Sequence, residues 1–117
     1  MTAELAKARG KSRGTWTQVF GKEADESFHA WYISRFVDAV AAAGKAELGL
    51  PMSVNVSLRD PIAPQAPESY SAGGPTDNVL DIWKLGAPHI DIIGPDIYQN
   101  DFDHYEAVLN YYDRPEN

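Results

Sequence analysis

The sequence predicts an α/β fold built on a parallel sheet, and two observations carry that prediction. The first is the run Ile90-Asp91-Ile92-Ile93-Gly94-Pro95-Asp96-Ile97-Tyr98. Its β-branched residues suit a strand packed on both faces, and Gly94-Pro95 then breaks the ladder, because proline has no N–H to donate. The second is the order of periodic segments: helix, strand, long loop, helix, strand, short turn, helix. That order describes two αβ units of a parallel sheet, whose strand carboxyl ends are where ligands bind.

Residues 1–13 hold Lys7, Arg9, Lys11 and Arg13 against Glu4 and read as a basic arm with at most a frayed turn near Ala3 to Ala8. Residues 14–117 form the domain proper. Gly14 to Gly21 is glycine-bracketed and reads as a loop pinned by Trp16 and Phe20, with Trp16 as an anchor or as a stacking platform for a sugar or base. The first long helix runs from Asp25 or Glu26, with Asp25 as N-cap, to Ala43, and Gly44 stops it. Phe28, Trp31, Tyr32, Phe36, Ala39, Val40 and Ala43 recur every three or four residues and predict its core stripe. Arg35 and Asp38 fall off the stripe, on the solvated side.

In Pro51 to Leu58, Met52, Val54, Val56 and Leu58 alternate with Ser53, Asn55 and Ser57, the pattern of a strand with one apolar face. Asn55 either hydrogen-bonds a ligand at a barrel mouth or stays wet on an edge strand. Arg59 to Gly74 is a proline-rich loop of the length used by lids, and Tyr70 near its end is a candidate ligand contact. A second helix follows from Thr76 to about Leu85, with Val79, Leu80 and Trp83 as its apolar residues and Pro75 in its first turn. After Tyr98, Asp101 caps a third helix marked by Phe102, Tyr105, Val108, Leu109 and Tyr112.

The composition narrows the functional classes. The net charge is −7, and without the basic arm the body carries −10, which argues against a nucleic-acid partner because phosphate binding uses Lys and Arg. No apolar run reaches the ~20 residues of a membrane span, so the reading is a soluble protein, cytoplasmic by default, with no membrane partner. With no cysteine there is no thiolate metal site, His29 has no ligand partner one turn away, and neither metal nor cofactor is expected.

Several blocks in one collinear order are similar to a known family. They are Gly14-Thr15-Trp16, Val19-Phe20-Gly21, Asp25 to Phe28, Ala41 to Glu47, Leu50-Pro51-Met52, Val54-Asn55, Gly73-Gly74-Pro75, Val79 to Lys84, Ala87-Pro88, Ile90-Asp91 and Pro95 to Tyr98. Together they resemble the catalytic barrel of bacterial β-galactosidases of glycoside hydrolase family 35, in the subgroup with an extra C-terminal domain. The resemblance implies a fragment of a β/α (TIM-type) barrel, with Pro51–Leu58 as its fifth strand and Ile90–Tyr98 as its sixth. A whole barrel takes ~250 residues, so about two parallel strands and three helices would be completed by self-association.

The resemblance also implies hydrolysis of β-linked galactosides, with a carbohydrate as partner. Both family glutamates, the acid/base after strand four and the nucleophile ending strand seven, fall outside these 117 residues, and Glu47, Glu68 and Glu116 take neither role. The departures are Val56-Ser57, where the family has an aromatic residue, and the loop 59–72. The expected pocket therefore comprises Asp96 as the acidic group, with Asn55, Tyr98, Tyr70 and Trp16 as sugar contacts. Two other readings stand beside it: a non-catalytic barrel fragment with weak or no sugar binding, and an unrelated α/β module if the two strands lie in different sheets or run antiparallel.

Overall fold

Val56 and Ile93, both buried, face the same side of a two-stranded sheet. The computed structural model describes residues 3–63 and 65–117; Met1 and Thr2 of the basic arm and Pro64 of the long loop lie outside the described residues. Strand β1 (Ser53–Ser57) and strand β2 (Ile92–Asp96) pair in parallel, Ser53 opposite Ile92 through Ser57 opposite Asp96. The protein is thus a mixed helix-and-sheet domain with a parallel pair in one sheet. An antiparallel arrangement, which would have marked an unrelated module, is not what forms.

Only one face of the pair is covered. Val54 and Val56 of β1 and Ile93 of β2 turn toward the helices, whereas Ser53, Asn55, Ser57 and Ile92 are exposed. β2 is therefore not packed on both faces, as its isoleucines predict. Nor does Gly94-Pro95 end the ladder, since β2 continues through Pro95 to Asp96. The neighbouring Ile93 explains why. Its N–H donates to Asn117 Oδ1 (2.8 Å) and its carbonyl accepts from Asn117 Nδ2 (3.0 Å), so Ile93 presents both backbone groups to the edge away from β1. Pro95, two residues on, faces the same edge, and its missing N–H costs the sheet nothing.

Asp91 aligns the strand entries: its carboxylate accepts from the Met52 N–H (2.7 Å) and from Lys45 Nζ (2.8 Å on Oδ1). These two donors hold its carboxyl below the usual carboxylate range, the lysine contributing most.

The N-terminal third is more ordered than the sequence suggests. Helix α1 (Ala3–Ala8) buries Leu5 and Ala6, so the stretch that reads as a solvated arm is anchored in the core. The segment read as a loop contains helix α2 (Trp16–Phe20), whose N-terminus is a reciprocal capping box. Thr15 Oγ1 accepts from the Gln18 N–H, and Gln18 Oε1 accepts from the Thr15 N–H. A 3₁₀ turn (Gly21–Glu23) then leads without a break into helix α3 (Ala24–Glu47), which passes through Gly44. Asp25 lies inside that helix and is not its cap.

Helix α3 buries a different face from the predicted stripe. Its core side consists of Ala24, Glu26, Ser27, Ala30, Trp31, Ser34, Asp38 and Ala41. Phe28, Tyr32, Phe36 (71% exposed) and Val40 lie outside, so of the large stripe residues only Trp31 is in the core. Size explains the choice. Helix α4 (Leu80–Gly86), reached through a 3₁₀ turn (Asp77–Val79), crosses α3 so closely that a Cβ on Gly86 would stand 1.9 Å from Ser34 Oγ. Only a small residue at Ser34 permits that approach, and Arg35 Nη1 donates to the Gly86 carbonyl across it (3.2 Å).

Helix α5 (Phe102–Tyr112) is capped by Asp101 as predicted and buries Val108 and Tyr112, while Phe102, Tyr105 and Leu109 stay exposed. Two aromatic donors pin the end of the long loop: Trp83 Nε1 to the Gly73 carbonyl (3.1 Å) and Tyr112 Oη to the Pro75 carbonyl (2.9 Å).

Candidate functional site

The carboxyl ends of β1 and β2 bring three of the predicted site residues together. On the open face, Asn55 stands opposite Gly94, and Asp96 lies one alternation further along β2. Their side chains meet there, Asn55 Nδ2 donating to Asp96 Oδ2 at 2.7 Å. The amide fixes one carboxylate oxygen and leaves the other free to accept from a ligand. Tyr98, just beyond, is 83% exposed and makes no hydrogen bond among the described residues. Asn55, Asp96 and Tyr98 thus share one strand-end region. The structure does not join Tyr70 and Trp16 to it.

Tyr70 belongs to a separate cavity of about 400 Å³, lined by Lys22, Glu23, Glu26, Arg59, Tyr70 and Asn78 with part of the long loop. At its wall Glu26 is only 4% exposed. The Tyr70 hydroxyl donates to its Oε1 (2.7 Å) and Asn78 Nδ2 donates to its Oε2 (2.8 Å). Burial, reinforced by that carboxylate, pushes the Tyr70 phenol up to about 12, so it stays a neutral donor at physiological pH. Thr76 Oγ1, fully buried, donates to Asn78 Oδ1 (2.9 Å) and orients the amide.

Arg59, two residues past β1, clamps Asp77 through Nε (2.7 Å) and Nη2. The hydrogen bonds to Asp77 raise the guanidinium above its already high range, outweighing the effect of burial. Its Nη1 has no partner among the described residues.

Trp16 packs in an aromatic group on α2 and α3, stacked on Phe20 (5.4 Å between centroids) and edge-on to Phe28 (5.5 Å). This is the anchor role, not a platform beside Asp96. Asp101 is a cap: its Oδ1 accepts from the His104 N–H (3.0 Å) and from the His104 ring (2.7 Å), and His104 Nε2 lies 3.6 Å from Asp60. Among the described residues no group of His, Asp and Glu is arranged to hold a metal ion. No helix among them is long and apolar enough to cross a membrane.

Glu26, Arg59 and Asn78 are functional candidates that sequence reasoning passes over. Glu26 stands where acidic residues ordinarily decorate a helix start, and Arg59 and Asn78 bracket a loop whose path no periodicity reveals. A faint signal exists in Arg59 itself, a cation placed directly after a strand. In comparisons with models of known protein families and with curated proteins, the chain matches none.

Proposed function

We propose that the chain is part of a β/α-barrel glycoside hydrolase of the β-galactosidase type, and that Asn55, Asp96 and Tyr98 form one wall of its sugar site. The observation that carries this reading is the Asn55–Asp96 hydrogen bond at the carboxyl end of a parallel pair, on the face that no helix covers. Polar side chains at the carboxyl ends of parallel strands whose other face is covered by helices suit the mouth of a β/α barrel, where its sites lie. An amide and a carboxylate side by side offer donors and an acceptor to sugar hydroxyls, and the exposed Tyr98 ring suits the apolar face of a pyranose.

Retaining hydrolysis needs two carboxyl groups ~5–5.5 Å apart, one nucleophilic and one protonated. Asp96 supplies one in this reading. The other comes from an associated chain, and the exposed aromatic stripe of α3 is the surface that favours such association, since apolar faces of this extent seek partners.

The test is hydrolysis of a chromogenic β-galactoside by the purified protein over a range of protein concentrations. Turnover rising faster than concentration, abolished in Asp96→Asn with an unchanged circular dichroism spectrum, is the expected result. No turnover on any β-glycoside overturns the hydrolytic reading. If galactose and lactose still titrate calorimetrically in that case, the protein is a non-catalytic sugar binder.

A further inference from the structure

The cavity around Glu26 has features that the sheet-end site does not share. Its volume of about 400 Å³ lies within the ~300–1,000 Å³ range of small-molecule sites. Its wall carries a carboxylate that is 4% exposed and makes no ion pair among the described residues, which is unusual because buried charges are ordinarily paired. A carboxylate has about four lone-pair sites; Tyr70 and Asn78 occupy two at short distance, and the Thr76 hydroxyl stands 3.5 Å from Oε1, which leaves one open. A donor is also open, since Arg59 Nη1 has no partner among the described residues beside the arginine's clamp on Asp77.

We propose that this cavity binds a small neutral polyol through a vicinal diol, one hydroxyl donating to Glu26 and its neighbour accepting from Arg59. The pattern of donors and acceptors selects this class. Lys22 stands with Glu23 and Glu26 around the lining and Arg59 is already paired with Asp77, so a simple anion meets two carboxylates and a simple cation meets Lys22 and the Arg59 guanidinium. Hydroxyls both donate and accept, and so use both sets of groups without adding charge. Tyr70 holds the carboxylate in place from the side, while Thr76, through Asn78, fixes the amide. The site is distinct from Asn55 and Asp96 and does not rest on the hydrolase reading.

The test is a titration of the ¹⁵N-labelled full chain with galactose, glucose and inositol, with glycine and acetate as charged controls. Shifts of the Arg59, Tyr70 and Asn78 resonances with the polyols, retained in Asn55→Ala, are expected. Glu26→Gln should weaken the affinity by about tenfold or more, the effect of losing a charge-assisted acceptor. Ala66→Phe, at an exposed rim position, should block the cavity without touching the core and abolish the shifts. Polyols that shift only residues near Asn55, or none, overturn the proposal, as does tighter binding of glycine than of any polyol. If Glu26→Gln fails to fold, Ala66→Phe decides alone: binding that survives it also overturns the site.

Discussion

Asp38, midway along α3, accepts two hydrogen bonds from His89, one from the backbone N–H at 2.8 Å and one from the ring Nδ1 at 2.9 Å. A carboxylate can only accept, so the imidazole carries its proton on Nδ1. The contact joins the long helix to the turn that precedes β2, and Arg35 adds a longer ion pair at 3.6 Å. Asp38→Ala strands the His89 N–H and should lower stability by about 1–3 kcal/mol in urea denaturation. Asp38→Asn keeps an acceptor and should lose less; equal losses would mean that the charge, not the acceptor, matters.

The Ser34–Gly86 crossing gives a second prediction. A methyl group on Gly86 meets Ser34 Oγ at 1.9 Å and Ser34 Cβ at 2.8 Å, so Gly86→Ala must spread α3 from α4. Overpacking of this kind costs about 1–3 kcal/mol, despite alanine's better helix propensity. Thermal melts of Gly86→Ala and of the double variant Ser34→Ala with Gly86→Ala read this out, and the second change should recover part of the loss.

Removing Asp77 leaves the Arg59 guanidinium without its clamp in a largely buried position, their side chains being 15% and 8% exposed. Asp77→Ala should destabilise by about 3–5 kcal/mol, the typical cost of an orphaned buried charge. Replacing both residues together, Arg59→Met with Asp77→Leu, should cost much less. A double variant as unstable as the single one would show that the loss comes from packing.

The pairing of His104 with Asp101 makes stability depend on pH in both directions. The hydrogen bond to Asp101 raises the imidazole above its ordinary 6.5, so its contribution is complete below that value and is lost as pH rises through the folded pKa. Asp101 is lowered by the same cap contacts, its backbone bond from His104 foremost, and its contribution fades as pH falls through its depressed pKa. A proton NMR titration of His104 should give a midpoint above 6.5 that drops in Asp101→Asn. An unchanged midpoint in that variant would remove the pair as the cause.

The outer stripe of α3 should drive association. Phe36→Glu with Val40→Lys changes two exposed side chains and should shift light scattering toward the monomer with an unchanged circular dichroism spectrum. A wild-type protein that stays monomeric at high concentration removes the stripe as an interface.

Much of this was legible in the sequence, and the failures share a cause. The alternation in Ser53 to Ser57 and the β-branched run before Gly94 locate both strands, and Asp101 announces its helix, because each signal is local. The capping box Thr15-x-x-Gln18 is also local, but the flanking glycines mask it and the segment reads as a loop. The buried face of α3 is not local. Its choice depends on Gly86, 52 positions beyond Ser34, which rewards small residues over large apolar ones. The cavity is likewise built by distant partners, Glu26 reaching Tyr70 and Asn78 at separations of 44 and 52 residues, which no spacing rule connects.

The amide of Asn117 against Ile93 has a consequence for aggregation. An exposed strand edge is a template on which further chains can add, and repeated addition on both sides builds fibres. On β2 that template is hindered, since Asn117 occupies the backbone groups of Ile93 and Pro95 offers no hydrogen. Strand addition is therefore easier on the side of β1, and a further strand pairs with β2 only after displacing the Asn117 amide.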